Sequence, residues 1–72
     1  MFVEAKDYPA QTVRVWLNEE DVTLDCFAAD DVKGYVDCYR RNAEGKRYQI
    51  EDQGYAIPAS ERRYGVVKIE LP

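Results

Sequence analysis

Histidine is absent from the 72 residues, and hydroxyl nucleophiles are scarce: one serine, Ser60, and two threonines, Thr12 and Thr23. The missing imidazole removes the commonest general base, the commonest metal ligand and the usual activator of a serine or cysteine nucleophile. Cysteine is limited to Cys26 and Cys38. Two cysteines without histidine cannot supply the four ligands of a structural zinc site. They are also too few for a disulfide-built secreted mini-protein, which usually carries roughly four to eight. No apolar run approaches the about 20 residues of a membrane-spanning helix. Met1–Glu4 shows neither the basic region nor the apolar stretch of a secretory leader. Together these absences read as a cytoplasmic, non-enzymatic chain with no cofactor, no metal and no membrane association. The two thiols read as reduced and as small buried apolar groups. The alternative is one Cys26–Cys38 disulfide, open only if their strands are neighbours.

The residues present form one small β domain over 1–72. Hydrophobic residues make up 46% and charged residues 33%, enough for a compact core with a well-solvated surface. Thr12–Leu17 alternates with period two, as a half-buried strand does, and so does Val22–Phe27. Pairing Leu17 with Val22 across a polar Asn18–Asp21 loop sets Val15 opposite Leu24 and Val13 opposite Cys26. That register turns Trp16 and Phe27 outward and makes Arg14–Asp25 a cross-strand charge pair. Ala28–Gly34 breaks the alternation; Asp30 caps and Gly34 ends either one helical turn or a tight loop. Gly34–Arg41 and Lys46–Glu51 read as a second hairpin around Asn42–Gly45, a type I turn with a glycine bulge that pairs Asn42 with Lys46. Extending that register places Val36, Cys38, Tyr48 and Ile50 on a core face, and Tyr35 and Tyr39 outside. Residues 52–60 read as a loop or edge, with Pro58 barred from a central strand. Tyr64–Leu71 is the last strand, with Val67, Ile69 and Leu71 inward, and Met1–Ala5 is a further one. The predicted class is all-β: a small antiparallel barrel of five to six strands (SH3-like) or a compact two-layer sandwich.

Charge is uneven. Residues 1–37 hold nine acids and three bases, a net of −6, whereas residues 38–72 hold five acids and seven bases, a net of +2. Tyr39-Arg40-Arg41, Lys46-Arg47-Tyr48 and Arg62-Arg63-Tyr64 set basic groups beside rings, a pattern suited to phosphates and stacked bases. A nucleic-acid binder would therefore use Arg40, Arg41, Arg47, Arg62 and Arg63. The overall net charge of −4 opposes that reading. Glu19-Glu20-Asp21 and Asp30-Asp31 suit turns and helix starts, or a negative face offered to a basic groove. They lack the alternating ligand spacing of a calcium loop. Trp16, Phe27, Tyr35 and Tyr39, outward in the predicted hairpins, form a candidate protein-binding surface. For Trp16 a core position competes with that role.

Residues 29–69, through Ala29-Asp30-Asp31, Gly34-Tyr35-Val36-Asp37, Asn42-Ala43-Glu44-Gly45 and Arg63-Tyr64-Gly65-Val66-Val67-Lys68-Ile69, resemble short uncharacterised proteins of tailed phages and prophages. The resemblance carries no catalytic or binding residues across. It implies no known activity; it raises the idea of a host-takeover factor, which binds and inhibits a host enzyme. The sequence therefore predicts a protein–protein interaction module. The alternatives are a nucleic-acid-binding β-barrel and a structural subunit of a phage assembly, with a homodimer also compatible.

Overall fold

The computed structural model describes residues 1–9 and 12–72. Among them are nine strands: β1 (Phe2–Glu4), β2 (Arg14–Leu17), β3 (Glu20–Asp21), β4 (Cys26–Asp30), β5 (Tyr35–Tyr39), β6 (Gln49–Asp52), β7 (Tyr55–Pro58), β8 (Ser60–Tyr64) and β9 (Val67–Glu70). A 3-10 turn, Ala5–Asp7, follows β1, and no α-helix occurs among the described residues. The fold is all-β, and every ladder is antiparallel. The strands form a four-stranded sheet ordered β1-β4-β5-β8, a three-stranded sheet β3-β2-β9 and a two-stranded arm β6-β7.

The core follows from period-two alternation. Val3, Ala29, Val36 and Cys38 of the larger sheet pack with Val15, Leu17 and Val67 of the smaller one, and Val22 joins them. Ala29 and Val36 have no exposed surface. Their strand neighbours Tyr35, Asp37 and Tyr39 alternate to the outer face, as the pleat requires.

The first predicted hairpin forms in a different register. Leu17 pairs with Glu20, not Val22, across a two-residue turn in which Asn18 and Glu19 both have positive φ (50° and 70°). Such a turn matches the twist of the strands, and asparagine at its first position favours it. Val22 now opposes Val15, donating its N–H to the Val15 carbonyl at 2.9 Å. Arg14 meets Asp21 at 2.7 Å instead of Asp25. Leu24 is exposed, and the chain leaves the hairpin to start β4 beside β1 and β5.

The second predicted hairpin is right at its turn and wrong beyond it. Asn42 donates its N–H to Lys46 O at 2.8 Å, Gly45 has φ 77°, and Arg41 bridges Arg47. The two arms then diverge. Arg40 and Tyr48 both hydrogen-bond Ala59, which inserts between them. β5 pairs with β8, so Val36 opposes Arg63 and Cys38 opposes Glu61. Residues 49–52 pair instead with 55–58, so Ile50 opposes Ile57 and is 46% exposed rather than core. The 52–60 stretch, expected as a loop or a short edge segment, is largely edge strand. Its Gln53-Gly54 turn is again left-handed (φ 51° and 84°), and Pro58 lies on β7, a sheet edge. Leu71, expected inward, is 41% exposed.

β8 turns into β9 at a crowded corner between the two sheets. Gly65 donates its N–H to Gly34 O at 3.0 Å, and Asn18 Oδ1 accepts from Val66 N at 2.9 Å. A Cβ on Gly34, at φ 74°, would stand 2.9 Å from the Gly65 carbonyl oxygen. We expect Gly34→Ala to cost about 2 kcal/mol, from the left-handed conformation together with the clash. That is a fall in Tm of roughly 10 °C in a thermal melt. Glu19→Gly relieves a left-handed glutamate in a turn that favours Asn-Gly, and should stabilise by about 0.5 kcal/mol.

Candidate functional site

The outer face of the four-stranded sheet is concave and aromatic. It holds an open groove of about 790 Å³ whose lining includes Phe2, Tyr8, Phe27, Tyr35 and Tyr39 over Ala28. Three local features build it. β1 alternates, burying Val3 and turning Phe2 and Glu4 outward. β5 does the same, with Tyr35, Asp37 and Tyr39 outside. On β4 the register slips by one residue: Cys26 opposes Cys38, Ala28 opposes Asp37, and Phe27 has no partner of its own. Such a bulge re-aims a side chain. Here Phe27 and Ala28 both line the outer groove while Cys26 and Ala29 stay with the core. The Phe27 ring then meets Tyr39, centroids 4.7 Å apart. Ala28 is small enough to leave the floor open.

The charges in the groove are paired. Arg62 holds Asp37 through two hydrogen bonds, 2.8 and 3.1 Å, and its guanidinium lies 3.9 Å from the centre of the Tyr35 ring. Lys6 pairs with Glu4 at 3.1 Å. Glu4, Lys6, Asp37 and Arg62 are the only charged residues lining the groove among the described residues. It therefore presents rings and a small-residue floor with no uncompensated charge.

Of the predicted protein-binding residues, Phe27, Tyr35 and Tyr39 are together here and Trp16 is not. Trp16 sits half-buried on β2 in the other sheet, with the Lys68 ammonium 5.1 Å from its ring centre. Sequence reading missed Phe2 and Tyr8. The alternation of Phe2 with Val3 carried a signal for the first; nothing marked Tyr8, which the 3-10 turn delivers.

The five arginines of the nucleic-acid alternative do not share a face. Arg62 lies in the groove; Arg40, Arg41 and Arg63 line a second depression with Glu20, Asp25 and Glu61; and Arg47 stands at the edge between the two, its guanidinium 4.6 Å from the Tyr39 ring centre. Asp25 is the hub for two of them. Arg41 reaches its carboxylate with Nε at 3.0 Å and Nη2 at 2.9 Å, and Arg47 Nε bonds it at 3.0 Å. The same guanidiniums cap the carbonyls of Gly45 and Leu24. These arginines pin the Asn42–Gly45 turn to the start of β4.

A second apolar surface is the β6–β7 arm. Ile50, Ile57 and Tyr55 lie on one face, and every residue of the arm is exposed. Among the described residues no three cysteine or acid side chains gather as a metal site. No helix there is long and apolar enough to cross a membrane. In comparisons with protein-family models, curated proteins and solved structures, the chain matches none.

Carboxylate ionisation is tied to folding. Hydrogen bonds from Thr23, then Arg14, hold Asp21 down to about 2, against an ordinary 3.8. Arg41, opposed by burial, lowers Asp25, and the backbone N–H of Lys33 lowers Asp30. Because these groups release protons more readily when folded, the unfolded chain binds more protons across the acid range. Their contribution is complete above the unfolded value and disappears as pH falls through the folded ones. Thermal melts should thus give a Tm that is flat from neutrality to about pH 5 and falls below about pH 4. Asp25→Asn should cost about 1 kcal/mol at neutral pH, since it withdraws the charge that two arginines share.

Proposed function

We propose that this chain is a non-enzymatic protein–protein interaction module whose contact surface is the aromatic groove on the β1-β4-β5-β8 face. One observation carries the reading: five rings converge on an open concave sheet face whose charges are already neutralised within the chain. Rigid aromatic side chains offer large contact area at low entropic cost, and contiguous exposed apolar surface marks binding sites. The neutral lining favours an extended, largely uncharged apolar segment of a partner protein, as aromatic-lined grooves receive proline-rich or apolar strands. The two sheets read as a two-layer sandwich rather than a closed barrel. In support, the larger sheet ends at β1 and β8 and the smaller at β3 and β9. The likeness to tailed-phage and prophage proteins suggests that the partner is a host protein and that the chain works in the cytoplasm. Nucleic-acid binding is the weaker alternative, because Arg41, Arg47 and Arg62 are already paired with Asp25 and Asp37.

The exposed β6–β7 arm favours one second reading, a structural subunit that self-associates through Ile50, Tyr55 and Ile57. A two-stranded hairpin is marginal by itself in water. In that case Tm should rise with protein concentration, and Ile57→Asp should remove the dependence.

The groove reading is tested by capturing partners from host-cell lysate with nuclease present. Wild type is compared with Phe2→Ala, Tyr35→Ala and Arg40→Glu. We expect a stoichiometric protein that Arg40→Glu retains and that both groove variants lose, at least about tenfold, while their folds persist by circular dichroism. Retention by the groove variants would contradict the assignment. So would capture of nucleic acid alone without nuclease, lost in high salt and with Arg40→Glu.

A further inference from the structure

Neither the groove nor the arm uses the two thiols. Cys26 and Cys38 are free cysteines directly opposite each other across β4 and β5. The flanking contact fixes the type of pair. Tyr39 donates its N–H to the Asp25 carbonyl at 2.9 Å, which makes 25/39 a hydrogen-bonded position and 26/38 the non-hydrogen-bonded one beside it. Residues at such a position stand about 4.5 Å apart at Cα, with side chains closer than at the alternate positions. That separation is within the about 4.4–6.8 Å a disulfide bridges. Both side chains turn to the core side of the sheet.

The pair sits at the rim of the core: Cys26 is half-buried, and Cys38, 4% exposed, is among the residues lining an open depression of about 360 Å³ that also contains Arg40, Arg41 and Arg63. The Cys26 thiol donates to the Ala28 carbonyl at 3.2 Å; the neighbouring Cys26 side chain, opposed by burial, favours the Cys38 thiolate, and Arg63 adds to it. The neighbouring Cys38 sulfur, ahead of burial, keeps the Cys26 thiol protonated. Cys38, which shares its depression with Arg63, is the sulfur placed to react first, and Cys26, directly opposite, is placed to resolve it.

We propose that Cys26 and Cys38 are an oxidative modification site, closed by a hydroperoxide into a cross-strand disulfide within the folded chain and reopened by a dithiol. The Cys38 thiolate attacks one peroxide oxygen. The O–O bond breaks, leaving a sulfenic acid on Cys38 and hydroxide. The Cys26 sulfur then attacks the sulfenic sulfur. The S–S bond forms, the S–O bond breaks, and the departing hydroxide takes the Cys26 proton as water. Two thiols are oxidised by two electrons in all, and hydrogen peroxide is reduced to two waters. The proposal does not depend on the function assigned to the groove.

The test treats the whole chain with hydrogen peroxide and reads it by non-reducing mass spectrometry. Trypsin cleaves at Arg14, Lys33 and Arg40, so the bond would join peptide Val15–Lys33 to Gly34–Arg40. We expect a monomer lighter by two hydrogens, the joined peptide, recovery of both thiols with dithiothreitol, and a Tm at least about 5 °C higher when oxidised. Cys26→Ser should leave Cys38 as a sulfenic acid that dimedone traps; if that variant does not fold, the wild-type peptide map decides. Sulfinic or sulfonic acid on one cysteine beside a free partner would overturn the proposal. Disulfide-linked dimers, or thiols untouched at peroxide levels that oxidise a free cysteine peptide, would do so too. A joined peptide with a lowered Tm would also overturn it, since the bond would then have formed from an opened chain.

Discussion

One unpaired residue in a strand sets the character of the outer sheet face. β4 and β5 are held in register at Asp30–Tyr35, Ala29–Val36 and Ala28–Asp37, and again at Cys26–Cys38, with Phe27 between as a residue without a partner. The pleat has period two, so an unbroken β4 with Ala29 inward would turn Phe27 inward and Cys26 outward. The extra residue restores both. Cys26 keeps its place against the core while Phe27 joins Tyr39 on the outside. The same slip lays Ala28 beside Phe27 as the floor of the groove and brings the two sulfurs face to face. Groove and thiol pair are two consequences of one shift in phase.

Electrostatics hold that sheet from its rims. Asp25, just before β4, gathers Arg41 and Arg47 and so fastens the Asn42–Gly45 turn. Asp37 on β5 holds Arg62 on β8. Isolated exposed pairs contribute little, but bidentate and shared ones are better placed to contribute. Three of the five arginines that look like a nucleic-acid patch in the sequence, Arg41, Arg47 and Arg62, are paired with Asp25 or Asp37 within the chain. β8 and β1 are both edges, and the charges of Glu61, Arg62 and Arg63 guard the longer one against pairing with other chains.

The all-β class, the strands around Val15, Val36 and Val67, the N-terminal strand and the register at Asn42–Gly45 were legible, because each rests on local alternation or turn chemistry. Tyr35 and Tyr39 lie in the groove for the same reason, alternating with buried Val36 and Cys38, whereas Phe27 lies there because of the bulge. Partner choice was not legible. β5 could pair with 46–51 or with 60–64, and alternation favoured the former because Ile50 looked like core. Ser60–Tyr64 carries no apolar alternation, since Arg63 opposes Val36 with a long stem and a charged end rather than a hydrophobic side chain. The Asn18-Glu19 turn hid because its second left-handed residue is not glycine. The bulge hid because nothing at Phe27-Ala28 differs from an ordinary strand.

The phase shift at Phe27 is directly observable by nuclear magnetic resonance. At a non-hydrogen-bonded antiparallel pair the two α-hydrogens face each other, so a strong nuclear Overhauser effect between the α-hydrogens of Cys26 and Cys38 is expected. Ring contacts between Phe27 and Tyr39 should accompany it. An unbroken β4 would instead set Cys26 opposite Tyr39 and Phe27 opposite Cys38. Contacts in that pattern would contradict the account, because Phe27 would then lie under the sheet and the groove would lose the ring that its bulge supplies.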